Sequence, residues 1–181
     1  IIQLIKSIKK NFKNKKNKYE IILVDDNSID GTVNTVKKYE KKDKKIRLFV
    51  RHNKKRNLAE SLNLGILKAK YENLIWLDAD FQHPPEYIKE MFKYSKKYDV
   101  IIFSRFLKKS IRYFDKNVNA KEANENQSIF FNKLFKFFFY KNITDYTSGY
   151  ICISKKKLKN YKLKGYYGEY FLSLLIYCKK N

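Results

Sequence analysis

This 181-residue chain has few of the residues that usually punctuate a fold: five glycines, two prolines, two cysteines and one tryptophan. The cysteines, Cys152 and Cys178, have no metal-ligand spacing, and two thiols in a chain of this size make no disulfide framework. They read as reduced, buried thiols of a cytosolic protein. No apolar run approaches the roughly 18 to 20 residues that a bilayer span requires, so no transmembrane helix is predicted in this segment. An initiator Met and a charged, apolar, small-residue leader are also missing. Ile1, Leu4, Ile5, Ile8 and Phe12 follow helical spacing with no capping residue before them. The expectation is a fragment, incomplete at both ends, that forms a single domain over residues 1–181.

Acidic residues are scarce as well, 18 against 41 Lys and Arg, which leaves a net charge of +23. Such a balance suits an anionic membrane or a nucleic acid. The excess is mostly Lys in a chain rich in Asn, Ile, Tyr and Phe, which is what an AT-rich coding sequence produces, so charge alone assigns no partner. A hydrophobic fraction of 44%, with 17% aromatic, argues for a folded core.

Two clusters of acid fall at the ends of apolar runs. Residues 21–24 (Ile-Ile-Leu-Val) form a run suited to a strand buried on both faces, followed by Asp25-Asp26-Asn27-Ser28-Ile29-Asp30-Gly31-Thr32 and a helical pattern over 32–39. Residues 74–77 (Leu-Ile-Trp-Leu) form a second run that ends in Asp78-Ala79-Asp80-Phe81-Gln82-His83-Pro84-Pro85-Glu86. In extended chain, residues two apart project to one side, so Asp78, Asp80 and Gln82 can aim oxygens at one point. Hard divalent cations take such a site, with one or two carboxylates and the rest water and phosphate. The Pro-Pro pair then ends the strand and sets a helix over 87–98. Further strands are expected at 46–50, 99–103 and 151–153, and further helices at 57–70, 128–140 and 170–179. This alternation is the pattern of a doubly wound α/β domain, and ligands collect at the carboxyl ends of its strands.

The Asp78–Glu86 segment resembles dolichyl-phosphate mannosyltransferases and related polyprenyl-phosphate sugar transferases of glycosyltransferase family 2. Val24-Asp25-Asp26-Asn27-Ser28, Ser104-Arg105 and Asp145-Tyr146-Thr147-Ser148-Gly149 resemble other motifs of that family and occur in its order. Two departures stand out: Phe103 replaces the usual Gly before Ser-Arg, and the family's first strand has no counterpart here. The resemblance implies a GT-A fold, a Rossmann-like, mostly parallel sheet flanked by helices and truncated at its N-terminal strand. It implies Mg2+ or Mn2+ at Asp78, Asp80 and Gln82, with Val24, Asp26, Asp78, Ala79, Asp80, Gln82 and Arg105 around the nucleotide sugar. Asp80 and Arg105 are the expected catalytic residues. Arg112, Ser148, Gly149 and Lys155, with Lys108 and Lys109, are expected near the acceptor, in and beyond a long loop over 106–127.

The expected reaction is inverting transfer of a hexose, with mannose favoured, from GDP-mannose to a polyprenyl or dolichyl phosphate, with UDP-glucose as the alternative donor. The expected location is cytoplasmic, peripheral on the cytoplasmic face of a membrane, with the Phe-rich helix over 128–140 as the contact. Readings from other classes are a silent membrane-binding scaffold and a basic nucleic-acid-binding protein. Against the latter, no recognition motif is present and carboxylates at strand ends repel phosphate, so no nucleic acid is expected.

Overall fold

A computed structural model of the chain describes residues 1–12, 18–52, 55–107 and 119–180, with 119–127 described by backbone alone. The first half is a βαβ unit. Helix α1 (Ile2–Lys10) leads to β1 (Ile21–Asp25), α2 (Thr32–Lys42) and β2 (Ile46–Val50). β1 and β2 pair in parallel, from Ile21 opposite Ile46 to Asp25 opposite Val50. A parallel pair needs a crossover, which α2 supplies. α1 has no side-chain cap; burial of Leu4 and Ile5 holds it instead. At roughly 1.5 to 3 kcal/mol for each such side chain, this outweighs the ~1 kcal/mol of a missing cap.

Helix α3 (Leu58–Lys68) is capped by Asn57, whose side chain accepts the Glu60 N–H. It leads into β3 (Asn73–Trp76), a short 3-10 turn at Pro85–Tyr87, α4 (Ile88–Tyr94) and β4 (Val100–Ile102). Helix α5 (Asn119–Phe138) then precedes β5 (Ile151–Ser154), a 3-10 turn at Lys155–Leu158 and α6 (Glu169–Lys180). β5 lies between β3 and β4 and runs antiparallel to both. β3 and β4 therefore run in the same direction, and their carboxyl ends fall on one side.

Three expectations need correction. The long loop expected over 106–127 is helical from Asn119, because 119–127 is built of Ala, Glu, Lys, Asn and Gln and forms helix without an apolar face to announce it. The helix expected over 87–98 ends at Tyr94. In addition, the centre of the second sheet is antiparallel, although the α/β layering is as expected.

Ile5, Ile21, Val36 and Ile46 form one core beside the parallel pair. Ile88, Met91, Tyr150 and Cys152 form another, against which Ile8 of α1 and Phe12 just beyond it pack. α1 thus spans both sheets. On the opposite layer Ala59, Leu74, Tyr146, Ile151, Ile153 and the α6 residues Phe171, Leu174 and Leu175 make the largest cluster. Between the sheets lies an apolar cleft of about 870 Å3, lined by α1, β1, α3 and β3.

Candidate functional site

The carboxyl ends of β1 and β3 open on this cleft, with Asp25 and Ser28 on one wall and Asp78 and Ala79 on the other. Each turn carries a left-handed non-glycine residue, Asn27 at φ 62° and Phe81 at φ 66°. In the first turn Asp25 accepts the Ser28 N–H at 2.6 Å. Asp26 points into a polar knot: Oδ1 accepts from Arg51 Nη1 and Ser61 Oγ, both at 2.6 Å, and Oδ2 from the Asn57 N–H at 2.8 Å. Burial acts to raise its pKa, but the hydrogen bonds from Ser61, Asn57 and Arg51 prevail and hold the carboxyl below its ordinary range. This carboxylate ties β1 to β2 and to the start of α3.

The second turn is open. Asp80 Oδ1 accepts the Gln82 N–H at 2.9 Å, and Asp78 keeps 59% of its side chain exposed. The protein packed around Asp78 still raises its pKa, the nearby His83 lowers it, and the Asp80 charge raises it again; the net shift is upward. A pair of carboxylates that disfavour each other's charge gains from a cation. Among the described residues no group of three or more His, Cys, Asp or Glu side chains forms a closed metal cage. Two carboxylates and an amide on an open turn fit Mg2+ or Mn2+ with water and phosphate completing the shell.

His83 lies beneath this turn, buried, with Nδ1 accepting the Asp78 N–H at 2.9 Å and Nε2 at 2.7 Å from the Ser148 carbonyl oxygen. At the end of β4, Arg105 donates Nε and Nη2 to the fully buried Asp145, at 2.9 and 3.1 Å, and Nη2 to Thr147 Oγ1 at 2.8 Å. The guanidinium expected beside the nucleotide sugar forks onto a carboxylate of the protein. Asn132 of α5 completes the network, donating to Thr147 Oγ1 and accepting the Tyr146 N–H.

The ends of β1 and β3 thus share the cleft through Val24, Asp78 and Ala79, His83 joins the turn that carries Asp80 and Gln82 to Ser148 and Gly149, Arg105 reaches the same segment at Thr147, and Asp26 turns to Arg51, Ser61 and Asn57. Within that group Asp26 and Arg105 are bound into the protein, and Ser148 is buried. Lys155 does not join them. The β3–β5 register sets Trp76 opposite Ile151 and Asn73 opposite Ser154, so Lys155 lies at the far end of the sheet, its Nζ donating to the Ala69 carbonyl oxygen at 2.7 Å. Arg112, Lys108 and Lys109 fall outside the described residues. Sequence reasoning gave no role to His83, Asp145 or Arg51. His83 and Asp145 stood inside the quoted motifs, but their partners are 65 and 40 residues away in sequence.

Residues 1–162 match the model of Glycosyl transferase family 2. The chain belongs to glycosyltransferase family 2. Its α/β layers are consistent with the GT-A architecture. A dolichol-phosphate mannosyltransferase of Saccharomyces cerevisiae is 41% identical over 76 residues, 42% of this chain and 28% of that protein. One from Pyrococcus furiosus is 35% identical over 91 residues, 50% of this chain and 25% of that protein. A poly-beta-1,6-N-acetyl-D-glucosamine synthase of Staphylococcus aureus is 37% identical over 86 residues, 46% of this chain and 20% of that protein. The matched stretch thus spans about a quarter of the length of these family 2 relatives.

Proposed function

We propose that this family 2 transferase moves a hexose, with mannose favoured, from a nucleoside-diphosphate sugar to a polyprenyl phosphate with inversion at the anomeric carbon. The observation that carries the reading is the open Asp78–Asp80 carboxylate pair at a strand end, where the Asp78 side chain is 59% exposed and its pKa is raised by its surroundings and by the Asp80 charge, while Asp26 at the end of β1 is closed by three hydrogen bonds. The mannosyltransferase relatives favour mannose as the sugar and a dolichol-type phosphate as the acceptor, and the synthase relative, named for N-acetyl-D-glucosamine, keeps a second sugar class open; GDP-mannose is the first donor to test and UDP-glucose the alternative.

When bound, Mg2+ or Mn2+ supplies neutralisation of charge on the leaving diphosphate. Asp78 and Asp80, with Gln82, would hold it. Val24 and Ala79 shape the walls beside the nucleotide, and Asp26 keeps β1 at the right height. Arg105 fixes the Thr147–Gly149 turn through Asp145. An acceptor phosphate is ionised near neutral pH, so no general base is assigned.

Helix α5 supports contact with the cytoplasmic face of a membrane. Phe135 packs inward on the core, while Phe130, Phe137 and Phe138 are exposed, with Lys133 and Lys136 on the same helix. No helix among the described residues is long and apolar enough to cross a membrane. Calorimetric titration with GDP-mannose and UDP-glucose, each with Mn2+ and with chelator, tests the reading. Metal-dependent binding of one donor is expected; binding of neither by folded protein overturns it.

A further inference from the structure

We propose that His83 is a positioning residue that locks the Asp78–Asp80 turn to the Ser148–Gly149 turn, so that the metal side and the acceptor side of the site move as one piece. The proposal rests on the metal-dependent reading above. A neutral imidazole has one N–H and one acceptor nitrogen. The Asp78 amide can only donate, so Nδ1 accepts; the Ser148 carbonyl can only accept, so Nε2 carries the proton. Both neighbours are backbone groups, and together they select one tautomer. The ring is 6% exposed, leaving no water to stand in for either bond.

The clamp is reinforced on both sides. The ring stacks on Tyr150 with centroids 5.0 Å apart, and the Tyr150 hydroxyl donates to the Pro84 carbonyl oxygen at 3.2 Å. Gly149 at φ 68° lets the turn pass over the ring; a Cβ there would sit 3.6 Å from His83 Cε1 in a left-handed backbone. The Asp78 carboxylate stays out of the clamp. Its Oδ2 is 3.7 Å from Nδ1, which bears no proton to give it. His83 therefore holds Asp78 by the main chain and leaves its carboxylate open to a cation, in the way outer residues orient metal ligands.

The test uses His83→Asn, His83→Gln and His83→Phe, each checked for folding by its urea midpoint. Asn places an oxygen where Nδ1 accepts from Asp78; Gln places an N–H₂ where Nε2 reaches Ser148; Phe keeps the stack and neither bond. Mn2+ affinity is read by electron paramagnetic resonance with GDP and with UDP, and Asp78 amide exchange is read without metal. His83→Phe and His83→Gln are expected to weaken Mn2+ by about tenfold or more and speed Asp78 exchange, while His83→Asn stays near wild type in both and raises KM for the acceptor. If His83→Phe fails to fold, the Asn–Gln difference decides. Equal Mn2+ affinity across the variants, with loss in Asp80→Asn, overturns the positioning role and leaves the transferase reading standing. Wild-type protein that holds no Mn2+ with either nucleotide overturns both.

Discussion

Asp26 and Asp78 occupy equivalent places, each just past a strand, each near a left-handed residue, yet their chemistry is opposite. Asp26 is bound by three partners and its pKa is lowered. Asp78 has an open carboxylate, a charged neighbour and a raised pKa. A protein that satisfies one acid fully and leaves the other in conflict separates holding the fold from holding a ligand. Under the proposed function, the acid left unsatisfied is the one that would meet the cation.

The largest expected break in this contrast is Asp80→Asn. Metal-dependent donor binding disappears and turnover falls by more than about a hundredfold, with the urea midpoint unchanged; donor consumption with Mn2+ and with chelator reads it. Next comes Asp26→Ala, which leaves Arg51 without its carboxylate partner and lowers stability by about 3 kcal/mol, seen as a lower urea midpoint at constant slope. Unchanged stability with weakened donor binding would reassign Asp26 to the ligand.

Thermal midpoints between pH 3 and 8 sharpen the contrast further. The depressed pKa of Asp26 means its contribution is present above the ordinary carboxylate range and is lost as pH falls through its folded value. Asp26→Asn therefore flattens the acid limb of the profile. For Asp78 the sign reverses: the folded state holds the proton more tightly, so stability is given up as pH rises from the ordinary value through the raised one. Asp78→Asn should melt higher than wild type at pH 7 and coincide with it at pH 3. The smallest effect separates the two turns: Phe81→Gly gains about 0.5 kcal/mol, left-handed strain of roughly 1–2 kcal/mol less the entropy of glycine. Asn27→Gly gains nothing, because Asn tolerates that conformation.

The strand ends were legible because β1 and β3 are short apolar runs cut off by acid, and β2 is a short run cut off by Arg51-His52. β2 falls on the expected 46–50, and β3 is one residue early. The antiparallel course of β5 was not legible, since Ile-Cys-Ile reads alike in either direction and its partners are decided by distant chain. That same register removed Lys155 from the site. Helix 119–127 carries its signal in propensity rather than period, so it passed for loop. Motifs named the acids of the site; which of them are already bound depended on Arg51, Ser61 and Asp145, whose roles exist only once the chain has folded.

The placement of β5 also sets an order of assembly. β1 and β2 pair residues about 25 apart in sequence, whereas β3 finds its partner roughly 75 to 80 residues later. Contacts that close short loops form before those that close long ones. Asp26 is thus bonded early, within a unit complete by residue 61, while Asp78 waits for Ser148 and Ile151 to arrive. On a growing chain, the half that could bind metal is the last to become rigid, and competence for chemistry trails the first folded core.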